Sequence, residues 1–428
     1  MKAEESHFVS VSELRIGLFV ELDVSWMAHP FPTGSFKISS ASQIETIRGM
    51  GLQRVRFDPA KSDPIVERSV ESTAQGAQPH PAKLTPASPE QARKEEWAQQ
   101  LEAQQRSLVV CERRFGDAIV QYRKTLDLIR AQPTVAAQQC AALVGGFVGE
   151  MLTEGESAIR LLSETAGDKA ALHPVNVTIV SLLLGKAIGL AQEDLVDLGV
   201  AAFLHDVGKS ALPERVRWHD DGFSSTEVKV YQEHVAQSLQ LGRTMGLSRG
   251  ALKAIAQHHE LADGSGFPER IKADAMSGPA RVLALVNRYD NLCNPGRPGA
   301  AMTPHEALSM IFAQQRARFD PVALSAFIRM MGVYPPGSVV QLLDERYAMV
   351  VSVNAARPLK PRIVVHDPGV PRYDALIVDL EREPNLAIRR SVKPALLPHD
   401  AMDYLSPRQR ISYFFESVPN SRHAGAMA

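Results

Sequence analysis

Apolar and polar positions follow three rhythms along this chain. Residues 8–58 set short apolar runs between turn formers, as in Val11-Ser-Glu-Leu-Arg-Ile-Gly-Leu-Phe-Val20, His29-Pro30-Phe31-Pro32 and Gln53-Arg-Val-Arg-Phe57. This pattern predicts a small α+β domain over 1–59. Residues 60–90 are rich in Ser, Pro, Ala, Gln and Glu and nearly devoid of large apolar side chains, which predicts a flexible linker. Beyond it Trp97, Leu101, Leu108, Phe115, Ile119, Tyr122, Leu126 and Ile129 recur at helical spacing. They predict one long amphipathic helix over 91–133, its stripe forming a seam against neighbouring helices; a homodimer joined through this helix as a coiled coil is the alternative.

Residues 134–332 keep a helical period, with breaks at Gly167, His173-Pro174, Gly189, Pro213, Gly222, Gly264 to Pro268 and Pro295 to Pro304. Residues 333–405 change to strand-like runs such as Ser338-Val-Val-Gln-Leu342 and Tyr347-Ala-Met-Val-Val-Ser-Val353, and 406–428 read as a polar tail. The expected fold is multidomain and mainly α: a helical bundle between a small N-terminal α+β domain and a small C-terminal antiparallel β module.

Composition narrows the function classes. At 428 residues the chain is long enough for two or three domains. Forty-seven basic against forty-eight acidic residues leave no global field for a nucleic-acid polymer or an anionic membrane. Cys111, Cys140 and Cys293 are scattered, which argues against a disulfide framework and for a reducing cytoplasm. The N-terminus is too polar for a signal peptide, and the longest apolar run, 175–190, contains Asn176 and Lys186, so no membrane insertion is expected.

The chemistry concentrates in 173–268. Phe203-Leu-His205-Asp206-Val-Gly-Lys209 is followed by His234 and then by His258-His259, while His173 precedes them. All fall on or near the ends of expected helices, so a bundle can gather their imidazoles around one carboxylate. That combination is a two-metal centre: the ions polarise a phosphoryl oxygen and acidify a water, and Asp206 bridges them. Gly208 is expected to end its helix and turn Lys209 toward the centre, where an ammonium neutralises phosphate charge. Asp263-Gly264-Ser265-Gly266-Phe267-Pro268, directly after the second doublet, reads as a pocket wall.

His205-Asp-Val-Gly-Lys209, His234, His258-His-Glu-x-x-Asp-Gly-Ser-Gly-Phe-Pro268, Tyr289-Asp290-x-Leu292 and Phe319-Asp320-Pro321 together resemble an HD-GYP domain of the HD superfamily, from about Leu172 to Val333. The segment Leu14-Arg-Ile-Gly-Leu-Phe-Val20, with Trp26 and Pro30-Phe31, is similar to the small domain that often precedes such domains. The resemblance implies a cyclic di-GMP phosphodiesterase carrying two divalent metal ions, of the iron or manganese kind. It also implies His173, His205, Asp206, His234, His258 and His259 as ligands, Lys209 on the phosphate, and Asp263, Gly264, Gly266, Phe267, Pro268 and Arg297 along the substrate. The chain departs from the family in three places. Asn287 stands where a ligand aspartate is usual and makes a weaker ligand, with Asp290 one helical turn on. Lys169, beside Asp168, replaces a glutamate seen in three-metal members, so no third ion is expected. Residues 293–301 keep only Arg297 of the usual basic cluster, with Arg270, Lys272 and Arg281 as candidate substitutes. Two other readings stay open: a weak or inactive HD-GYP-like regulator that binds metal or nucleotide and signals to a protein partner, and an HD phosphohydrolase of another nucleotide.

Overall fold

The computed structural model describes residues 7–22, 35–38, 41–49, 52, 54–59, 61–63, 89–153, 157–163, 169–220, 222–354 and 357–417. Trp26, Pro30 and Phe31, most of the expected linker, Asp168, the Lys169 side chain and residues after 417 lie outside them. Contacts divide the chain into two units, 1–85 and 86–428.

In the first unit β1 (His7–Ser10), β2 (Phe19–Glu21), β3 (Ser35–Lys37) and β4 (Arg54–Phe57) form an antiparallel sheet in the order β1-β4-β2-β3. Helix α1 (Ala41–Gly49) contributes Ile44 and Ile47 to a core with Val20, Ile38 and Val55. The turn before β2 requires Gly17: its φ is +90°, and a Cβ there would lie 2.6 Å from Asp63 Oδ2.

The second unit opens with α2 (Pro89–Leu128) and α3 (Pro133–Thr153). Phe115, Ile119 and Tyr122 from the α2 stripe are buried in the unit's own core, with Tyr122 edge-on to Phe203 at 5.1 Å. The C-terminal part of the stripe is therefore spent internally, while Trp97 at its start, and Val109, Val110 and Val120 outside it, stay exposed.

Helix α4 (Lys169–Ala187) runs straight through His173-Pro174, where a break was expected. A helix buried on nearly every side gains enough from packing to outweigh the hydrogen bond that Pro174 cannot donate. By length and composition α3 and α4 could each cross a bilayer, with 33% of that stretch in α3 and 83% in α4 buried inside the protein. Five further helices complete the bundle: α5 (Gln192–Leu204), α6 (Ser225–Met245), α7 (Arg249–Gln257), α8 (Gly278–Cys293) and α9 (Pro304–Gln314), followed by α10 (Pro321–Met331).

The second sheet draws on strands far apart in sequence. β5 (Ser157–Leu161) and β11 (Tyr413–Ser417) join β6 (Val339–Leu342), β7 (Tyr347–Asn354), β8 (Arg362–Val365), β9 (Ile377–Asp379) and β10 (Ile388–Val392) in the path β10-β6-β7-β5-β11, with β8 on β7 and β9 on β8. A short helix, α11 (His399–Leu405), precedes β11.

Within 134–332, read as a mostly helical stretch, β5 is the one strand among the described residues. One expectation is corrected here. Residues 406–428 are not simply a polar tail, because Tyr413, Phe414 and Phe415 are core residues. Polar neighbours conceal the β11 strand in the sequence, yet its Glu416 is itself buried, satisfied by Arg160 at 3.3 Å, Ser352 at 3.1 Å and Ser107 at 3.0 Å. Phe414 and Phe415 meet Phe147 of α3 edge-on at 5.8 and 6.1 Å, which seats the sheet on the bundle. Phe414→Ala is expected to lower unfolding free energy by about 3–5 kcal/mol, read from the denaturant midpoint; an unchanged midpoint would contradict this account of β11.

Candidate metal centre

The ligand-type residues sit where helices end. His205 caps the C-terminus of α5 and is followed by Asp206 and a 3-10 turn, Val207–Ala211; His258 caps α7 and is followed by His259. The last carbonyls of a helix lack intrahelical donors. Here they accept from imidazoles: His205 Nδ1 donates to Ala202 O and His258 Nδ1 to Ile255 O, each at 2.7 Å. His234, on α6, donates in the same way to Tyr231 O. Fixing each Nδ1–H on a carbonyl turns the Nε2 lone pair inward.

Gly208 was expected to end the helix, but α5 already stops at Leu204 and Gly208 lies inside the 3-10 turn that follows. It is needed because α6 passes so close that a Cβ would lie 2.3 Å from His234 O and 2.5 Å from Ser238 N. Its N–H donates to Ser238 Oγ at 2.9 Å.

The six residues expected at one centre converge as two groups that share Asp206. Asp206 Oδ2 faces His205 Nε2 at 3.3 Å and His173 Nε2 at 3.4 Å. Oδ1 faces His234 Nε2 at 3.5 Å and His258 Nε2 at 3.9 Å, and His259 Nε2 lies 3.1 Å from that of His234. Oδ1 is buried without a hydrogen-bond partner, so a carboxylate oxygen and three inward lone pairs converge on one point, as a cation requires. The donor set fits a divalent metal ion in each group.

Burial, reinforced by neighbouring imidazoles, depresses the pKa of His258 and His259, and burial brings His234 down to about 4, which keeps these rings neutral. Burial opposes charge on Asp206 too, but His205, Lys209 and His173 outweigh it and hold its pKa well below the usual range. His173 is raised despite burial by its bonds to Asp206 and Asp290.

Lys209 is buried, with Nζ on Asp206 Oδ2 at 2.6 Å and 5.1 and 5.4 Å above the rings of Trp218 and Tyr231. Burial acts to lower its pKa, and Asp206 with Tyr231 reverses this, so it stays charged. Trp218 and Tyr231 were not singled out from the sequence. Tyr231, one helical turn before His234, could have been found from that spacing; Trp218 carries no such signal.

The loop expected to wall a pocket stands beside the second group. Phe267 stacks on His259 with ring centroids 4.4 Å apart. Gly266 is obligatory, since a Cβ would lie 2.5 Å from His259 O and from Leu261 N, and Gly264 has φ +81°. Asp263 accepts from Ser265 N and Oγ, at 2.9 and 2.6 Å. Pro268 follows Phe267 through a cis peptide bond. Glu260 carries no expected role, yet its buried carboxylate accepts the N–H groups of Glu269, Arg270 and Ile271 at 2.6, 3.1 and 3.1 Å and so fixes the end of the loop.

Other expected residues are engaged elsewhere. Arg297 pairs with Asp220 and its side chain is 80% exposed. Arg281 pairs with Asp320, the residue that caps α10. Asn287 is buried on α8, and its Oδ1 accepts from Asn291 Nδ2 at 2.7 Å. Asp290, one helical turn on, is engaged beside it: its Oδ2 accepts from His173 Nδ1.

Residues 158–322, which include all six converging residues and the Gly266-Phe267-Pro268 loop, match the model of the HD domain. The chain carries an HD domain. Residues 6–140 match a domain of unknown function, DUF3391. Among curated relatives, the chain is 26% identical to a cyclic di-GMP phosphodiesterase of Pseudomonas aeruginosa, over 83% of this chain and 84% of that one. It is 31% identical to a cyclic di-GMP phosphodiesterase response regulator of Xanthomonas campestris, over 35% of this chain and 40% of that one. A solved HD-GYP variant from Bdellovibrio bacteriovorus aligns with a TM-score of 0.40 at 13% identity, covering 76% of this chain and 98% of that one.

The neutral imidazoles make the metal-stripped protein acid-sensitive. A histidine with a folded pKa below its unfolded value of about 6.5 contributes full stability above 6.5; as pH falls, the unfolded chain gains protons that the folded one refuses. For His234 the loss grows from pH 6.5 to about 4 and reaches roughly 3 kcal/mol. The raised pKa of His173 acts oppositely, for one residue against three. The urea midpoint after chelation is expected to be lower at pH 5 than at pH 7.5; a higher one would contradict neutral imidazoles.

Proposed function

We propose that this HD-domain protein is a metal-dependent phosphodiesterase of cyclic di-GMP. His173 and His205 would hold one ion and His234, His258 and His259 a second, with the Asp206 carboxylate available to both. The observation that carries this reading is the division of the Asp206 oxygens, one toward each set of imidazoles. Bound divalent ions supply Lewis acidity and bring a water's pKa near neutrality.

The chain's own residues do the rest. Lys209, kept charged beside Asp206, neutralises the phosphate. Phe267 offers an apolar face to a nucleotide, and Gly264 and Gly266, with Asp263 and Pro268, let the backbone approach it. An imidazole-rich shell with one carboxylate suits iron or manganese. Three separate free cysteines suit a reducing cytoplasm. Self-association through α2 would use its exposed Trp97, Val109, Val110 and Val120.

A second reading, a weakly active regulator acting on a protein partner, is favoured by Asn287, which gives an amide where a carboxylate would add charge, and by Arg297, which is turned to Asp220.

Protein loaded with iron or manganese is expected to convert cyclic di-GMP, followed by chromatography. Asp206→Ala should reduce turnover more than about a hundredfold; equal inertness of both at every metal tried would leave the regulator. Asn287→Asp should tighten metal binding roughly tenfold by adding a negative charge. Elemental analysis at limiting metal checks this, and no gain in occupancy would remove Asn287 from the ligand set.

A further inference from the structure

His173 is tied to the C-terminal strand through three side chains. Asp290 accepts from His173 Nδ1 with one oxygen; the other accepts from Asn176 Nδ2 and, at 2.9 Å, from Asn294 Nδ2. Each asparagine spends its remaining capacity on the backbone at the start of β11. Asn294 Oδ1 accepts from Ile411 N at 2.9 Å, and its Nδ2 also donates to Ile411 O at 2.8 Å. Asn176 Oδ1 accepts from Tyr413 N at 2.8 Å, and its Nδ2 reaches Ile411 O at 3.3 Å.

A neutral amide suits this place because it donates to a carboxylate and accepts from a peptide N–H at once. An aspartate could not donate to Asp290 and would repel it. Asp290 and Asn176 are buried and Asn294 is half-buried, so water competes weakly for these bonds.

We propose that Asn176 and Asn294 are positioning residues that make β11 part of the support for the His173–His205 half of the metal centre. Through Asp290 they fix the ring of His173, and with it the direction of its Nε2 lone pair. The group formed by His234, His258 and His259 has its own support, the helix carbonyls and the Glu260-braced loop, and does not draw on β11. The inference rests on His173 being a ligand, as proposed above.

The test compares Asn294→Ala with Tyr413→Phe in the full-length protein. Tyr413→Phe removes hydroxyl bonds to Pro336 O at 3.0 Å and Tyr289 Oη at 3.1 Å in the same strand but leaves the asparagines intact. Metal is counted by elemental analysis and titrated calorimetrically with Mn²⁺. Wild type and Tyr413→Phe are expected to hold two ions. Asn294→Ala should hold one tightly and bind the other about 10–100-fold more weakly, the usual effect of losing a residue that orients a ligand. Two ions at wild-type affinity in Asn294→Ala, equal losses in both variants, or no metal in wild type would each overturn the proposal. Should Asn294→Ala fail to fold, Asn176→Ala is read the same way. Because the readout is metal content, it stands even if cyclic di-GMP proves not to be the substrate.

Discussion

Asp206 carries a negative charge where water scarcely reaches, and one of its oxygens has no hydrogen bond at all. Burying such a group costs several kcal/mol unless positive charge meets it. Lys209 meets one oxygen; the other faces neutral nitrogen lone pairs that only a cation can reconcile with it. Much of the surrounding structure follows from holding five imidazoles around that carboxylate. Two helices stop there and one is threaded by a proline, and a glycine at 208 lets α6 come within contact of the turn.

Placing the histidine doublets at helix C-termini serves a second purpose. The unpaired carbonyls there give the helix end a partial negative charge, which favours a cation, and the same carbonyls orient His205 and His258. The backbone thus supplies both field and tautomer without further side chains. His173 lies within a helix instead, and its Nδ1–H takes a carboxylate, Asp290.

The converging residues were legible because local rules place them: a histidine at a helix end, or on a helix face, keeps its position wherever the helix packs. The helical bundle and the antiparallel strands of 339–392 were legible from period alone. What escaped notice depended on long-range pairing. β5 is a five-residue strand between helices, and β11 places Glu416 among aromatics, so its polarity makes sense only beside Arg160 and Ser352. Pro174 signals a break unless one knows that α4 is buried all round. Asn176, Asn294 and Glu260 look like ordinary polar residues until the backbone groups they satisfy are seen.

The pairing of β5 with β11 also bears on how the protein is made. Arg160 and Glu416 are 256 residues apart, and β5 has no hydrogen-bonded neighbour until β7 has been synthesised, its second edge waiting for β11. A ribosome adding about 5–20 residues per second therefore exposes the edges of β5 for many seconds. During that interval the helices can form and bury their own faces, but the sheet that seats against α3 cannot. The nascent protein thus passes through a stage with a bundle and an unpaired strand, a species that chaperones bind and that aggregation threatens.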